Sequence, residues 1–398
     1  MDKVILKPRR EESLLRYHPW VFSGAVERID GAPAEGDLVE VVSSAGDLLA
    51  VGHYQIGSIA VRVLSFSPEA LEDGWWENTI GEAFRLRVAA GLHGSPATSC
   101  YRLVHGEGDG LPGLVIDYYD GVCVFQAHSA GMFLARERIT DALKAIYGPS
   151  LKAVYDKSSG TAPYKAGLDL RDGYLYRRDD FVGEDRAVVM ENGNRFTVDW
   201  VEGQKTGFFL DQRDNRARVG ALARGRTVLN LFCYTGGFSV YALSGGAAHV
   251  DSVDSSRKAM DMVDVNVALN GFAPDLHTSV CSDAIEFLRD VPAGKYDLMI
   301  VDPPAFAKHR GALRNALRAY QRLNAAAISK VAPGGLIFTF SCSQVVDKET
   351  FALTVFSAAA STGRKVRILD RLNQPADHAV NIYHPEGEYL KGLLLYVE

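Results

Sequence analysis

The stretch Val228-Leu-Asn-Leu-Phe-Cys-Tyr-Thr-Gly-Gly-Phe-Ser239 joins an apolar run, a tight glycine loop and the start of a helical pattern, and a second apolar run closes on Asp254. Glycine lets backbone turn with positive φ and approach a ligand closely, so the pattern reads as strand, loop and helix start of a nucleotide-cofactor site. The carboxylate lies 18 residues beyond Gly236, near the spacing at which a second-strand acid reaches a ribose diol. The loop lacks the G-x-G-x-x-G spacing that cradles a pyrophosphate. A cofactor with a ribose and no phosphate, S-adenosylmethionine, fits better than a dinucleotide.

The surrounding pattern extends that unit into a domain. From about Ala187 a hairpin turning at Asn192-Gly193-Asn194 is followed by strand candidates Val228–Leu231, Val250–Val253, Leu276–Val280, Leu298–Val301, Leu336–Phe340, Lys365–Leu369 and Leu393–Val397. Amphipathic stretches separate most of them, which predicts a doubly wound, mainly parallel seven-stranded sheet. No clear helix separates the last two, so a reversed final strand is expected.

Ligands of open α/β sheets bind beyond the carboxyl ends of the strands. Phe232, Tyr234, Thr235, Gly236 and Gly237 follow the first run; Asp254 and Ser255 close the second; Asp283 and Ala284 follow the third; Asp302 follows the fourth; Ser341-Cys-Ser343 follows the fifth. One such acid is usually a helix cap, and Asp283 alone reads that way. Polar groups at successive strand ends read as a site.

In Asp302-Pro-Pro-Ala-Phe306 two prolines stiffen the chain and remove two backbone donors. Asp302 beside Pro303 and Pro304 suits the polar edge of a nucleobase and Phe306 its face, against the bland reading of a rigid turn with Phe306 in the core. Cys342 at an apolar strand end is either a small hydrophobe or, between two serines at the catalytic edge, a nucleophile. Methylation of a pyrimidine at carbon 5 requires a thiolate, because that carbon is a poor nucleophile until sulfur adds at carbon 6. Arg310, Arg314, Arg318 and Arg322 recur every four residues, and Lys308 to Lys330 holds six basic residues and no acid. On a helix they make a stripe that phosphate backbone would neutralise. Gly203 to Arg216 places aromatic, amide and basic groups just before the first strand, which as bare chemistry is ambiguous.

The 398 residues, 47% hydrophobic and 23% charged, supply more than one core. A net charge of −6 argues against nonspecific coating of nucleic acid, though not against local basic patches. Five scattered cysteines with no C-x-x-C pair suggest neither disulfides nor zinc, so no metal is expected. With no span-length apolar run and no signal-peptide pattern, the expectation is a cytoplasmic chain without a membrane partner. Before the sheet come two further segments. Residues 1–68 alternate β-rich runs at Trp20–Ser23, Asp37–Val42, Leu48–Tyr54 and Ile59–Phe66 with glycines about ten residues apart, as in a small barrel or sandwich. Residues 69–186 read as an α+β unit with a helix over Trp75–Gly91 whose stripe is Trp76, Ile80, Phe84 and Val88, a strand–turn–strand over Tyr101–Asp117 and a helix near Phe133–Tyr147. Residues 187–398 form the sheet domain.

The chain resembles the bacterial large-subunit ribosomal RNA cytosine-5 methyltransferases, with an N-terminal PUA-like barrel that binds RNA, a central α+β domain and a C-terminal Rossmann-like class I methyltransferase domain. The resemblance runs through His18-Pro-Trp-Val-Phe-Ser-Gly24, Asp109–Asp117, Thr206–Arg216, Asn230–Ser239, Asp302–Phe306, Ser341–Ser343 and Pro385–Lys391. It implies that Phe209, Asp211, Gln212 and Arg213 lie by S-adenosylmethionine, that Asp254 takes its ribose, that Asp283 lies by its adenine and that Cys342 is the nucleophile, with ribosomal RNA as partner. Many such enzymes carry a second cysteine directly after the proline motif; here that residue is Ala305. Two alternatives stay open: methylation of a guanine nitrogen without a thiol, and a noncatalytic RNA-binding scaffold. The sequence also leaves open a homodimer.

Overall fold

The computed structural model describes residues 1–67, 71, 73–163, 167–307 and 309–398. Lys308, the first of the basic run, and Pro68 and Glu69, where the sequence divides the first segment from the second, lie outside them. Among the described residues no helix is long and apolar enough to cross a membrane. The chain divides into two compact units: residues 1–189, 198–210 and 376–387 in one, and 190–197, 211–375 and 388–398 in the other.

The first unit opens with a six-stranded sheet in the spatial order Trp20–Phe22, Ile59–Ser65, Leu48–Tyr54, Leu38–Val42, Asp2–Leu6, Val26–Asp30. Its end strands, Trp20–Phe22 and Val26–Asp30, are joined by the short turn Ser23–Ala25. A flat row of six strands would span about 24 Å, whereas that link reaches about 14 Å at most, so the row must curl toward closure. The strands Asp2–Leu6 and Val26–Asp30 are not among those expected from sequence. Five further strands, Cys100–His105, Leu114–Tyr119, Val122–Ala127, Ala153–Asp156 and Gly173–Arg177, make a second sheet. Helices Trp75–Ala89 and Arg136–Tyr147 contribute Ile80, Ala83, Ile139, Ala142 and Leu143 to the core that also holds Leu103, Ile116 and Phe125.

The helix Trp75–Ala89 corrects one expectation. Val88 is 47% exposed, and the fully buried member of that last turn is Arg87. Arg87 is accepted because every direction of its guanidinium meets oxygen. Its Nη1 and Nη2 donate to the Asp109 carboxylate, its Nε to the Arg102 carbonyl at 2.7 Å and its Nη2 to the Asp377 carbonyl at 2.7 Å. The Asp377 carboxylate in turn accepts the Arg102 backbone N–H at 2.9 Å. Residues 376–387, which the sequence pattern assigns to the sheet domain, are thus held in the first unit by nonlocal polar contacts. Arg87→Leu strands a buried carboxylate, so unfolding titrations should show a loss of about 3–5 kcal/mol; a change under about 1 kcal/mol would remove this account of the burial.

In the second unit the strands are β1 (Thr227–Leu231), β2 (His249–Asp254), β3 (His277–Cys281), β4 (Leu298–Val301), β5 (Gly335–Ser341), β6 (Val366–Asn373) and β7 (Lys391–Val397). They lie in the order β3-β2-β1-β4-β5-β7-β6. The first five are mutually parallel, and β7 is antiparallel to both β5 and β6. The expected doubly wound sheet with a reversed last strand is what forms. Leu229, Leu231, Val253, Met299, Val301 and Ile337 are fully buried, as sheet covered on both faces requires.

Candidate active site

Strand order and register build this site. Leu231 pairs with Val253 on one side and Val301 on the other; Val253 pairs with Val280, and Val301 with Thr339. Five neighbouring strands therefore end nearly level, and the residues following them form one row about 4.8 Å apart per strand. Asp283, Asp254, the 232–237 loop, Asp302 and Cys342 stand along that row in this order. Nothing in their sequence order states this adjacency.

The loop after β1 holds three residues at positive φ: Phe232 (58°), Tyr234 (48°) and Gly236 (81°). A Cβ on Gly236 would lie 3.0 Å from Val263, and one on Gly237 would lie 3.0 Å from Arg216. The backbone is tied to the next strand end. Tyr234 N–H donates to Asp254 Oδ2 and Ser256 N–H to Asp254 Oδ1, each at 3.0 Å. Each carboxylate oxygen keeps acceptor capacity, which suits a pair of hydroxyls. Ser255 is exposed. Asp283 is a helix cap, accepting the N–H groups of Ile285 and Glu286 with one oxygen, and Ala284 is buried behind it.

Asp302 is held by Gln212, whose Nε2 donates to Oδ2 at 3.0 Å; Asn215 fixes Gln212 in turn, at 2.6 Å. Burial, and then the nearby charge of Asp211, push the Asp302 carboxyl up to about 7. Asp211 Oδ2 accepts from the Tyr389 hydroxyl at 2.7 Å. Asp211 Oδ1 and Thr235 Oγ1 are buried without hydrogen-bond partners among the described residues. Thr235 follows β1 and Asp211 lies in the turn Leu210–Gln212; buried oxygens without partners are places where a ligand can supply them. The acceptors at Asp211 and Asp254 and the hydroxyl of Thr235 match the ammonium, ribose diol and carboxylate of S-adenosylmethionine.

The other members of the expected cofactor set are Arg213 and Phe209. Arg213 is buried 3.6 Å from Glu191, which also holds Arg216 by two 2.8 Å bonds, so its charge is committed to that acid. Phe209 is half-buried and belongs to the first unit.

Cys342 follows β5 and is half-buried. Behind it, the Tyr320 hydroxyl accepts from Ser341 at 3.0 Å and meets Ser343 Oγ at 3.1 Å, and the Phe306 ring packs on Tyr320 with centroids 4.7 Å apart. Pro303 is buried and Pro304 exposed. Lys391, paired across the sheet with Ser341, donates to the carbonyls of Ser343 (2.6 Å) and Val346 (2.5 Å). Burial lowers its ammonium to about 8, while a negative charge on the Cys342 sulfur would favour the ammonium. Lys391, Tyr320 and Glu191 are not picked out by the sequence pattern. Lys391 does close the last of the family motifs, which was the available signal.

The basic stripe divides. Arg314, Arg318 and Arg322 lie on the helix Leu313–Lys330, while Arg310 lies in the turn Arg310–Ala312 before it. All four are exposed.

A sheet in this order with this row of strand-end groups defines the class I methyltransferases. Residues 179–392 match the model of the S-adenosylmethionine-dependent methyltransferase family, and residues 4–66 match a PUA-like domain. The chain belongs to that methyltransferase family, and its cofactor is S-adenosylmethionine. Two relatives, from Aeromonas hydrophila and Shewanella amazonensis, are each 40% identical over 98% of both chains, and each is named ribosomal RNA large subunit methyltransferase I. The crystal structure of a candidate methyltransferase complexed with SAH superposes over 100% of both chains with a TM-score of 0.85 at 24% identity, a likeness of fold.

Proposed function

We propose that this enzyme methylates carbon 5 of a cytosine in large-subunit ribosomal RNA through a covalent adduct at Cys342. The RNA class comes from the relatives' names. The observation that carries the base and the mechanism is the half-buried Cys342 at the end of β5, the strand next to the one that Asp302 follows. The Tyr320 hydroxyl and the Lys391 ammonium both lie close enough to feel a charge on its sulfur.

When bound, S-adenosylmethionine supplies an electrophilic methyl on a sulfonium. Asp254 with Ser255 would hold the ribose, the 232–237 loop the amino-acid moiety, and Asp283 with Ala284 the adenine side. The Lys391 ammonium favours the Cys342 thiolate. That thiolate adds to carbon 6 of the flipped cytosine, forming a C–S bond and moving the ring electrons onto carbon 5. Near neutral pH the Asp302 carboxyl is partly protonated, so it can donate to ring N3 and accept from the exocyclic amine while Phe306 borders the base. Carbon 5 then carries the electron pair that the sulfonium methyl would accept, its S–C bond breaking to leave S-adenosylhomocysteine. Loss of the carbon 5 proton to water re-forms the double bond and expels the thiolate; Ala305 provides no thiol for this step.

Incubating the chain with undermethylated ribosomal RNA and labelled cofactor, then analysing nucleosides by mass spectrometry, tests the assignment. 5-Methylcytidine is the expected product, and a methylguanosine in its place would overturn it. The arginine stripe reads as a phosphate contact. Arg314→Glu with Arg318→Glu should weaken RNA binding at least tenfold and lower the salt slope of log K by about one per lost contact. Unchanged affinity at low salt would count against the stripe.

A further inference from the structure

Outside the strand-end row, the first unit brings together three donor groups from the two ends of the sequence. His18 precedes the strand Trp20–Phe22, and His384 and Glu386 come from the returning segment 376–387. One ring nitrogen of each histidine and one carboxylate oxygen lie within 4.8 Å of one another. His18 Nε2 is 3.7 Å from Glu386 Oε1, and His384 Nε2 is 3.8 Å from Glu386 Oε2. These separations are too long for hydrogen bonds. They are close to the edges of a tetrahedral zinc site, whose nitrogen and oxygen ligands at about 2.0–2.2 Å stand about 3.3–3.6 Å apart.

A second observation is independent of that spacing. His384 is 3% exposed, and neither of its ring nitrogens has a hydrogen-bond partner among the described residues. Native interiors rarely leave an imidazole in that condition. The ring is held edge-on to Trp20 (centroids 4.3 Å) and beside His18 (5.4 Å). His18 Nδ1 lies 3.2 Å from the Trp20 N–H, from which it can accept, and 3.4 Å from the Trp20 carbonyl, so Nε2 is the ring nitrogen turned toward Glu386; a metal bound there selects the tautomer protonated at Nδ1. Arg62, a cation that acts on His384, is already neutralised: it donates to Glu107 at 2.8 Å, and the same oxygen accepts from Trp20 Nε1.

We propose that His18, His384 and Glu386 form a binding site for a divalent transition metal of the zinc type. Two imidazoles and one carboxylate are a borderline donor set, and water completes the tetrahedron. The ion ties segment 376–387 to the turn that enters the first sheet and stabilises this unit by linkage. The site stands whichever base is modified.

The full-length chain, stripped with chelator, is titrated with Zn2+ by calorimetry and with Co2+ by visible absorption. One saturable equivalent per chain, a four-coordinate Co2+ spectrum and a Tm that rises with Zn2+ are expected. Glu386 is 53% exposed at its side chain, so Glu386→Gln should fold as the parent by circular dichroism. It and His18→Gln should each weaken binding at least tenfold and abolish the Tm rise. No saturable equivalent, or parent-like affinity in both variants, overturns the proposal.

Discussion

Cys342→Ala should lower methyl transfer to RNA by ~10⁴-fold or more while leaving S-adenosylmethionine affinity within about twofold of the parent. The size follows from the chemistry: without sulfur at carbon 6, carbon 5 of cytosine has no electron pair to offer a sulfonium methyl. The selectivity follows from the structure. Cys342 is half-buried at the end of β5, while the partnerless oxygens of Asp211 and Thr235 and the carboxylate of Asp254 belong to other elements. Calorimetry with the cofactor shows whether the variant is folded and competent, and single-turnover transfer measures the loss. RNA carrying 5-fluorocytosine gives a second reading. Fluorine at carbon 5 cannot leave as a proton, so the parent should remain covalently bound to RNA on denaturing gels and the alanine variant should not. Turnover near the parent's would sink the covalent mechanism and favour direct attack by a ring nitrogen.

Legibility in the sequence followed how local each cause is. The central strands are readable because sheet buried on both faces demands continuous apolar residues, and the pattern marks β4 to its last residue. At the edge, the pattern ends β6 near Leu369 but the strand runs to Asn373, since most of its side chains are exposed and carry no apolar signal. Val26–Asp30 escapes the pattern for the same reason, with Glu27, Arg28 and Asp30 all facing water. The glycine loop announces itself through Gly236 and Gly237, but the positive φ at Phe232 and Tyr234 does not, because neither residue type advertises it. Buried ionic contacts are illegible throughout. Arg87 with Asp109, Arg216 with Glu191 and the return of Asp377 to Arg102 each join positions far apart in sequence, and periodicity alone would put such residues outside. The expectation of no metal has the same weakness. It rests on cysteine spacing, and spacing cannot show that His18 and His384 are neighbours.

Asp302→Asn separates two roles that one carboxyl combines. In the reaction proposed here, the substituted amide can still bond the base edge but cannot pass a proton to ring N3, so turnover should fall ~10²-fold or more with cofactor affinity kept. The effect on folding runs the other way. Burial first, and the charge of Asp211 second, raise the Asp302 carboxyl from 3.8 to about 7, so the folded chain holds this proton more tightly than the unfolded one does. The stability tied to that proton is fully present below about pH 4 and is lost as pH rises through about 7. Asparagine resembles the protonated acid and never ionises, so the variant keeps what the parent loses. In urea titrations the two should match below about pH 4, diverge as pH rises toward 7, and the variant should be the more stable above pH 8. A change of that size in acidity sets a ceiling of ~4 kcal/mol. The observed gain should be about 2 kcal/mol, because Asp302 retains partial solvent access that screens its charge. A variant no more stable than the parent at pH 8 would mean the carboxylate is not held at a cost there. Equal gains at every pH would mean that packing, and not ionisation, distinguishes the two side chains.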